Sequence, residues 1–233
     1  VSNQAIPYYL VVPAAGIGSR FGSDLPKQYA SINGKPLLHY AIESAASFDG
    51  CVGVVVALAA TDTYWQAPTG LNKPLVTVAG GAERVDSVSN ALQWIAANTE
   101  ADDVLVLVHD AARPYLPRGD VERLLQAASQ SDAGALLAAP VADTIKSGKD
   151  GVVTATVDRS QLWRALTPQA FRLSILQQAL LQAAEQGVKV TDEASAVECL
   201  GLQPALVQGS AANIKVTLPE DLLTVSAQLD AVV

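Results

Sequence analysis

Methionine is missing from this 233-residue chain altogether, and cysteine occurs only twice. Cys51 and Cys199 stand far apart and form no metal or redox spacing. A disulfide framework is therefore excluded, and a reducing compartment is the expectation. Charge is scarce as well: 16% of residues are charged, with 15 Lys and Arg against 23 Asp and Glu and a net charge of −8. A chain of that sign has no field to draw in nucleic acid or an anionic membrane, so neither is expected as a partner. No apolar run approaches the ~20 residues a membrane span needs. Val1 to Pro7 shows no basic start followed by a long apolar stretch, so no signal peptide is expected and the cytoplasm is the expected location. What is plentiful is core material. Hydrophobic residues make up 50% of the chain, which excludes disorder for its bulk.

Short β-branched runs alternate with helical patterns, the signature of an α/β protein with a mostly parallel sheet. Tyr8–Pro13, Gly53–Ala59, Leu75–Ala79, Val104–Val108 and Gly134–Pro140 read as strands. Helices are predicted from Pro36 to Phe48, around Val85–Ile95, from Val121 to Ala128, over Leu173–Glu185 and over Glu193–Leu200. Thr191 or Asp192 is placed to cap the fifth of these. Ala205–Val207 and Ile214–Val216 read as short strands, and Pro219 opens a last helix. Between Asp143 and Val157 the sequence Ser147-Gly148-Lys149-Asp150-Gly151 is turn chemistry between two Thr-, Ile- and Val-containing runs. That pattern predicts a β-hairpin, an arm over 143–160 reaching toward a partner subunit. The expected fold is a Rossmann-like three-layer sandwich in one domain, 1–233, with this inserted arm for dimerisation.

Chemistry gathers where strands end. Ala14-Ala15-Gly16-Ile17-Gly18-Ser19-Arg20 follows the first strand, and glycines there let backbone N–H groups approach a phosphate. The loop lacks the third glycine of a dinucleotide fingerprint, since Phe21 stands there, and it lacks the Walker Gly-Lys-Ser/Thr. Arg20 and Lys27 flank it, either as phosphate-neutralising cations or as solvated surface charges. Asp110 follows the buried strand and suits Mg²⁺ if a nucleotide supplies the remaining ligands; its alternative is a cap or a partner of Arg113. His109 reads as a satisfied near-core histidine. Polar islands at Thr156–Arg159, Leu166–Gln169, Val190–Ser195 and Asn213–Thr217 add hydroxyls and two more cations, suited to a phosphorylated polyol.

These islands together resemble one family, the 2-C-methyl-D-erythritol 4-phosphate cytidylyltransferases of isoprenoid-precursor synthesis. The resemblance rests on Pro13–Arg20, Pro26-Lys27-Gln28-Tyr29, Gly80-Gly81-Ala82-Glu83-Arg84 with Asp86-Ser87-Val88, and Val108-His109-Asp110-Ala111-Ala112-Arg113-Pro114. It continues through Ala139-Pro140-Val141 with Asp143-Thr144, Thr156–Arg159, Leu166–Gln169, Thr191-Asp192-Glu193-Ala194-Ser195 and Asn213–Thr217. It implies a reaction of CTP with the methylerythritol phosphate, with Mg²⁺ or another divalent cation bridging the phosphates. By the same resemblance Arg20, Lys27, Arg159 and Lys215 are catalytic. Ala14, Ala15, Gly16, Gly18, Gly81, Ala82, Ser87 and Ala111 hold the nucleotide. Asp110, Arg113, Thr144, Arg159, Thr167, Thr191 and Lys215 hold the acceptor, and Asp110 helps place the metal. The resemblance further implies a homodimer through the arm, with Thr144 and Arg159 completing the neighbour's site. Two positions depart from the family pattern: Ala82 and Ala212 stand where Asp is found in relatives. Competing readings are a ribitol 5-phosphate cytidylyltransferase, a sugar-phosphate nucleotidyltransferase using UTP or GTP, an NAD-binding dehydrogenase and a non-catalytic nucleotide-binding dimer.

Overall fold

The computed structural model describes residues 5–16, 18, 21–22, 25–101 and 103–231. In chain order the elements are β1 (Tyr8–Pro13), β2 (Ser31–Ile32), β3 (Lys35–Pro36), α1 (Leu37–Ala46), β4 (Cys51–Leu58), β5 (Leu75–Ala79) and α2 (Arg84–Asn98). They continue with β6 (Leu105–Val108), α3 (Arg118–Ser129), β7 (Ala135–Pro140), β8 (Ile145–Lys149), β9 (Val152–Val157) and β10 (Trp163–Arg172). The C-terminal part adds α4 (Leu173–Glu185), α5 (Glu193–Glu198), β11 (Ala205–Gln208) and α6 (Asp221–Asp230).

Seven strands form the central sheet in the order β11-β7-β10-β6-β1-β4-β5. Of these, β10 runs antiparallel to its neighbours β6 and β7, and the other pairs are parallel. The unbroken apolar character of β1 follows from its central place, covered on both faces. Tyr8, Leu10 and Val12 share a core with Leu38 and Ile42 of α1 and Val121 and Leu124 of α3. Val11 points to the other face, among Val88 and Leu92 of α2, Leu176 of α4 and Val197 of α5. A period-two alternation thus divides one hydrophobic run between two helical layers. A third, smaller core of Phe21, Ile32, Leu37, Val216 and Val225 seats α6 against the β2–β3 hairpin.

From β1 the chain proceeds through β4 and β5 on one side, then returns to β6 on the other side of β1. The loops after β1 and β6 therefore face each other at a topological switch point, where an open α/β sheet leaves a crevice for ligands.

Two sequence expectations change. Ile214–Val216 is not a strand: Val216 N–H donates to the Ala112 carbonyl at 2.8 Å, without a ladder around it. Conversely, β10 shows in the sequence only as a polar island. Its Pro168 argues against a central strand, yet the register with β7 shifts between Ala165 and Gln169. Pro168 falls in that irregular stretch, where a residue without an N–H is tolerated.

The β8–β9 hairpin forms a two-stranded sheet of its own, as expected. Val152 and Val153 on it are 69% and 60% exposed, so the hairpin contributes almost nothing to the core of its own chain. No helix among the described residues is long and apolar enough to cross a membrane.

Candidate active site

The switch-point cleft is lined by Ala14, Ala15, Gly16, Gly18 and Lys27 from the first loop and Gly81, Ala82, Arg84 and Ser87 from the start of α2. Asp110, Ala111 and Lys215 close it. Every nucleotide-binding residue expected from sequence therefore borders one cavity. Arg20 lies outside the described residues.

Local packing explains why small residues occupy the walls. A Cβ at Gly80 would stand 2.3 Å from the Ala15 Cβ, so the two loops meet at a contact that only glycine permits. A Cβ at Gly81 would stand 2.0 Å from the Asp86 Cβ, in the first turn of α2. Glu83 and Asp86 form a capping box there, each side chain accepting the other's backbone N–H. Ser87 Oγ accepts from Gly81 N–H at 3.1 Å and donates to the Glu83 carbonyl at 3.3 Å, pinning the loop over the cleft. On the opposite wall Gln28, buried, donates to the Ala14 carbonyl at 2.8 Å. Gly18 has φ +66°, and a Cβ on it would come within 2.7 Å of the Lys27 Cγ. The glycine thus makes room for the lysine stem, whose Nζ donates to the Val216 carbonyl at 3.3 Å.

Asp110 is the electrostatic centre. Its Oδ2 lies 2.8 Å from Lys215 Nζ and 3.5 Å from Arg113 Nε, and its Oδ1 accepts from Arg84 Nε at 3.1 Å. Burial pushes its carboxyl up, but the charges of Arg84, Lys215 and Arg113 outweigh burial and hold it well below the usual carboxylate range. Burial likewise pulls the Arg84 guanidinium down, and Glu193 and Asp110 together raise it above its ordinary value.

Behind Asp110 runs a chain of buried hydrogen bonds. Asp110 N–H donates to Thr167 Oγ1 at 3.0 Å, Thr167 Oγ1 meets His109 Nδ1 at 3.1 Å, and His109 Nε2 meets the Arg113 carbonyl at 3.0 Å. A carbonyl only accepts, so Nε2 carries the proton and the threonine hydroxyl donates to Nδ1. Burial pulls His109 down to about 4, which keeps the ring neutral. His109 is structural, as its sequence reading holds.

The acceptor residues expected from sequence divide into four placements. Asp110 and Lys215 line the cleft. Thr167 and Arg113 lie beneath it, 5% and 8% exposed, and Arg113 Nη1 donates to the Asn213 carbonyl at 2.7 Å. Arg113 and the Ala112–Val216 bond hold the segment that presents Lys215. Thr144 and Arg159 stand exposed at the base of the hairpin, where Arg159 donates to the Ala142 carbonyl, and neither borders the cleft of its own chain. Thr191 is exposed at the start of α5, and Asp192 rather than Thr191 is the cap, accepting from Ser195 N–H at 3.0 Å.

Three residues at the site carry no role assigned from sequence. Gln28 and Arg84 sit inside motifs quoted above, and Glu193, 2% exposed, opens α5. A buried acid in the first turn of a predicted helix reads as ordinary dipole chemistry, which conceals its partner in another segment.

A glycine loop, clustered cations and a carboxylate at the switch point define an α/β protein that handles a nucleoside phosphate. Among the described residues Lys27, Arg84 and Lys215 supply the positive charge of that cleft. The family model for 2-C-methyl-D-erythritol 4-phosphate cytidylyltransferase matches residues 8–231, and the chain belongs to that family. The protein of that name from Vibrio atlanticus is 48% identical over 223 residues, covering 95% of both chains. A solved 4-diphosphocytidyl-2C-methyl-D-erythritol synthase superposes with a TM-score of 0.83 at 36% identity, covering 97% of this chain and 99% of that one. The Francisella tularensis 2-C-methyl-D-erythritol 4-phosphate cytidylyltransferase gives 0.81 at 34% identity, covering 95% and 99%.

Proposed function

We propose that this chain is a cytidylyltransferase that joins CTP and 2-C-methyl-D-erythritol 4-phosphate. The products are 4-diphosphocytidyl-2-C-methyl-D-erythritol and pyrophosphate, within the non-mevalonate route to isoprenoid precursors. The observation that carries this reading is the family match across the whole switch-point cleft, including Lys27, Asp110 and Lys215.

A phosphate oxygen of the acceptor attacks the α-phosphorus of CTP, a new P–O bond forms, and the bond to the β-phosphate breaks with its electron pair leaving on pyrophosphate. The protein's part is positioning and charge stabilisation. The cytidine and its phosphates lie against Ala14, Ala15, Gly16, Gly18, Gly81, Ala82, Ser87 and Ala111. Lys27, with Arg20, neutralises charge on the α-phosphorus and the departing pyrophosphate. Lys215 holds the acceptor phosphate, and Asp110, Thr167 and Thr191 frame the polyol, with Arg113 bracing that side.

Among the described residues no group of three His, Cys, Asp or Glu converges. Asp110 is the carboxylate beside which a divalent cation would lie, and its oxygens are already in ion pairs. A single carboxylate fits Mg²⁺ or a similar ion only where a bound triphosphate would supply most of its ligands; such an ion would neutralise phosphate charge.

Thr144 and Arg159, remote from their own cleft, complete the site of a second subunit in a homodimer built through the arm over 143–160. The exposed Val152 and Val153 of the hairpin support this reading. The rest of the chain is a single domain acting in the cytoplasm, consistent with its two free cysteines. Phosphorus-31 NMR of the protein with CTP, the acceptor and Mg²⁺ tests the reaction. A diphosphate diester and free pyrophosphate are expected in equal amounts, and unchanged CTP would refute it.

A further inference from the structure

Arg84 and Glu193 are 109 residues apart in sequence and bind each other through both forks of their side chains. Arg84 Nη1 donates to Glu193 Oε1 at 2.6 Å and Nη2 donates to Oε2 at 3.0 Å. The remaining Nε–H of the same guanidinium donates to Asp110 Oδ1. One arginine therefore joins two carboxylates in a row, and it joins the start of α2 and the start of α5 to the loop after β6. Glu193 is only 2% exposed, and a buried ion pair is weak evidence for stability because desolvation offsets most of the attraction. Its better explanation here is geometric.

Around Asp110 stand Arg84, Arg113 and Lys215, three cations against one carboxylate. An arginine whose fork is free binds a carboxylate through two parallel N–H bonds. Were the fork of Arg84 to turn onto Asp110, it would take both oxygens, and Lys215 would lose the Oδ2 that holds it at 2.8 Å. We propose that Glu193 is a positioning residue that occupies the fork of Arg84, restricts Arg84 to one bond with Asp110, and so reserves the second oxygen of Asp110 for Lys215. The loop that carries Glu193 is itself tied to β10: Gln169 Nε2 donates to Asp192 Oδ2 at 2.8 Å, and Gln169 Oε1 accepts from Ala194 N–H at 2.8 Å. The position of Glu193 is thus fixed independently of Arg84.

The consequence for the reaction rests on the reading that Lys215 holds the acceptor phosphate; the consequence for Lys215 itself does not. The test therefore has two readouts. Labelling of Lys215 by an amine-acylating reagent, followed by mass spectrometry, reports its pairing with or without turnover. Glu193→Gln frees the fork, and labelling of Lys215 is expected to rise at least threefold. Arg84→Gln removes the competitor, and labelling is expected to fall below the wild type. The double variant is expected to match Arg84→Gln alone, since Glu193 acts through Arg84. In steady-state assays Glu193→Gln is expected to lower kcat/KM for the acceptor at least tenfold, with CTP affinity by calorimetry within threefold of wild type.

Unchanged labelling in Glu193→Gln, or the same change in both single variants, overturns the proposal. So does a Glu193→Gln protein that melts earlier but labels and turns over as wild type, which would make the pair merely structural. Should either single substitution prevent folding, the double variant decides, because it leaves neither charge of the pair buried without its partner; increased labelling of Lys215 there refutes the proposal. If wild type shows no turnover while the labelling pattern holds, the functional reading fails and the positioning inference stands.

Discussion

Replacing Asp110 by Asn removes one negative charge and almost no volume, so its effect isolates electrostatics. The side chain is 9% exposed and has cations at 2.8, 3.1 and 3.5 Å. Taking one partner from a buried ion pair costs about 3–5 kcal/mol, because the other charge is left uncompensated. Lys215 is 38% exposed and can turn to water, while Arg84 keeps Glu193, which places the cost at the low end, roughly 3 kcal/mol. At roughly 2–4 °C per kcal/mol for a chain of this length, Asp110→Asn should melt about 6–12 °C below wild type near pH 7.5. The assay is thermal unfolding followed by circular dichroism. Adding Lys215→Met removes one of the crowded cations and should restore part of the loss. The sign with pH follows from the lowered carboxyl: the stability it gives is present above its unfolded value of about 4 and is lost as pH falls below that. Asp110→Asn should lack that acid-side loss. A melting point within about 2 °C of wild type would refute the account of Asp110 as the centre of the cluster.

Lys27→Ala should lower turnover by more than ~100-fold with the fold intact, as for a lost transition-state donor; near-normal turnover removes Lys27 from the mechanism. Mixing inactive Arg159→Ala with inactive Lys27→Ala should regain activity through hybrid dimers. No recovery after verified subunit exchange would place each site within one chain. His109 at about 4 lies below its unfolded value near 6.5, so the stability its neutral ring gives is full above 6.5 and is lost as pH falls toward 4. Urea unfolding should show about 3 kcal/mol of loss across that window, flattened in His109→Gln, and a flat wild-type profile would contradict the buried tautomer chain.

Much of this molecule is legible in its residues because its elements are governed by local pattern. Leu75–Ala79 and Leu173–Glu185 fall where periodicity places them, and Pro36 stands just before α1. The cleft loops announce themselves through glycine, and the contacts at Gly18, Gly80 and Gly81 give the steric reason. What escapes a reading of the sequence depends on distant partners. β10 carries a proline that only a register shift against β7 accommodates. The resemblance sets Thr167 and Arg113 at the acceptor; what the sequence does not show is that the fold also buries them, where they bond to Asp110 N–H and to the Asn213 carbonyl of the Lys215 segment. Glu193 needs Arg84, 109 positions away, before its carboxylate has a meaning. Thr144 and Arg159 are the reverse case: the resemblance sets them at the acceptor, yet neither lines the cleft of its own chain.

The central claim is the acceptor and its activation by CTP, and pyrophosphate release measures it most directly. With Mg²⁺ and CTP held constant, initial rates with 2-C-methyl-D-erythritol 4-phosphate and with ribitol 5-phosphate should be compared over the same concentration range. The account predicts efficient release with the first and little with the second. Preference for ribitol 5-phosphate, or release with neither, would contradict it.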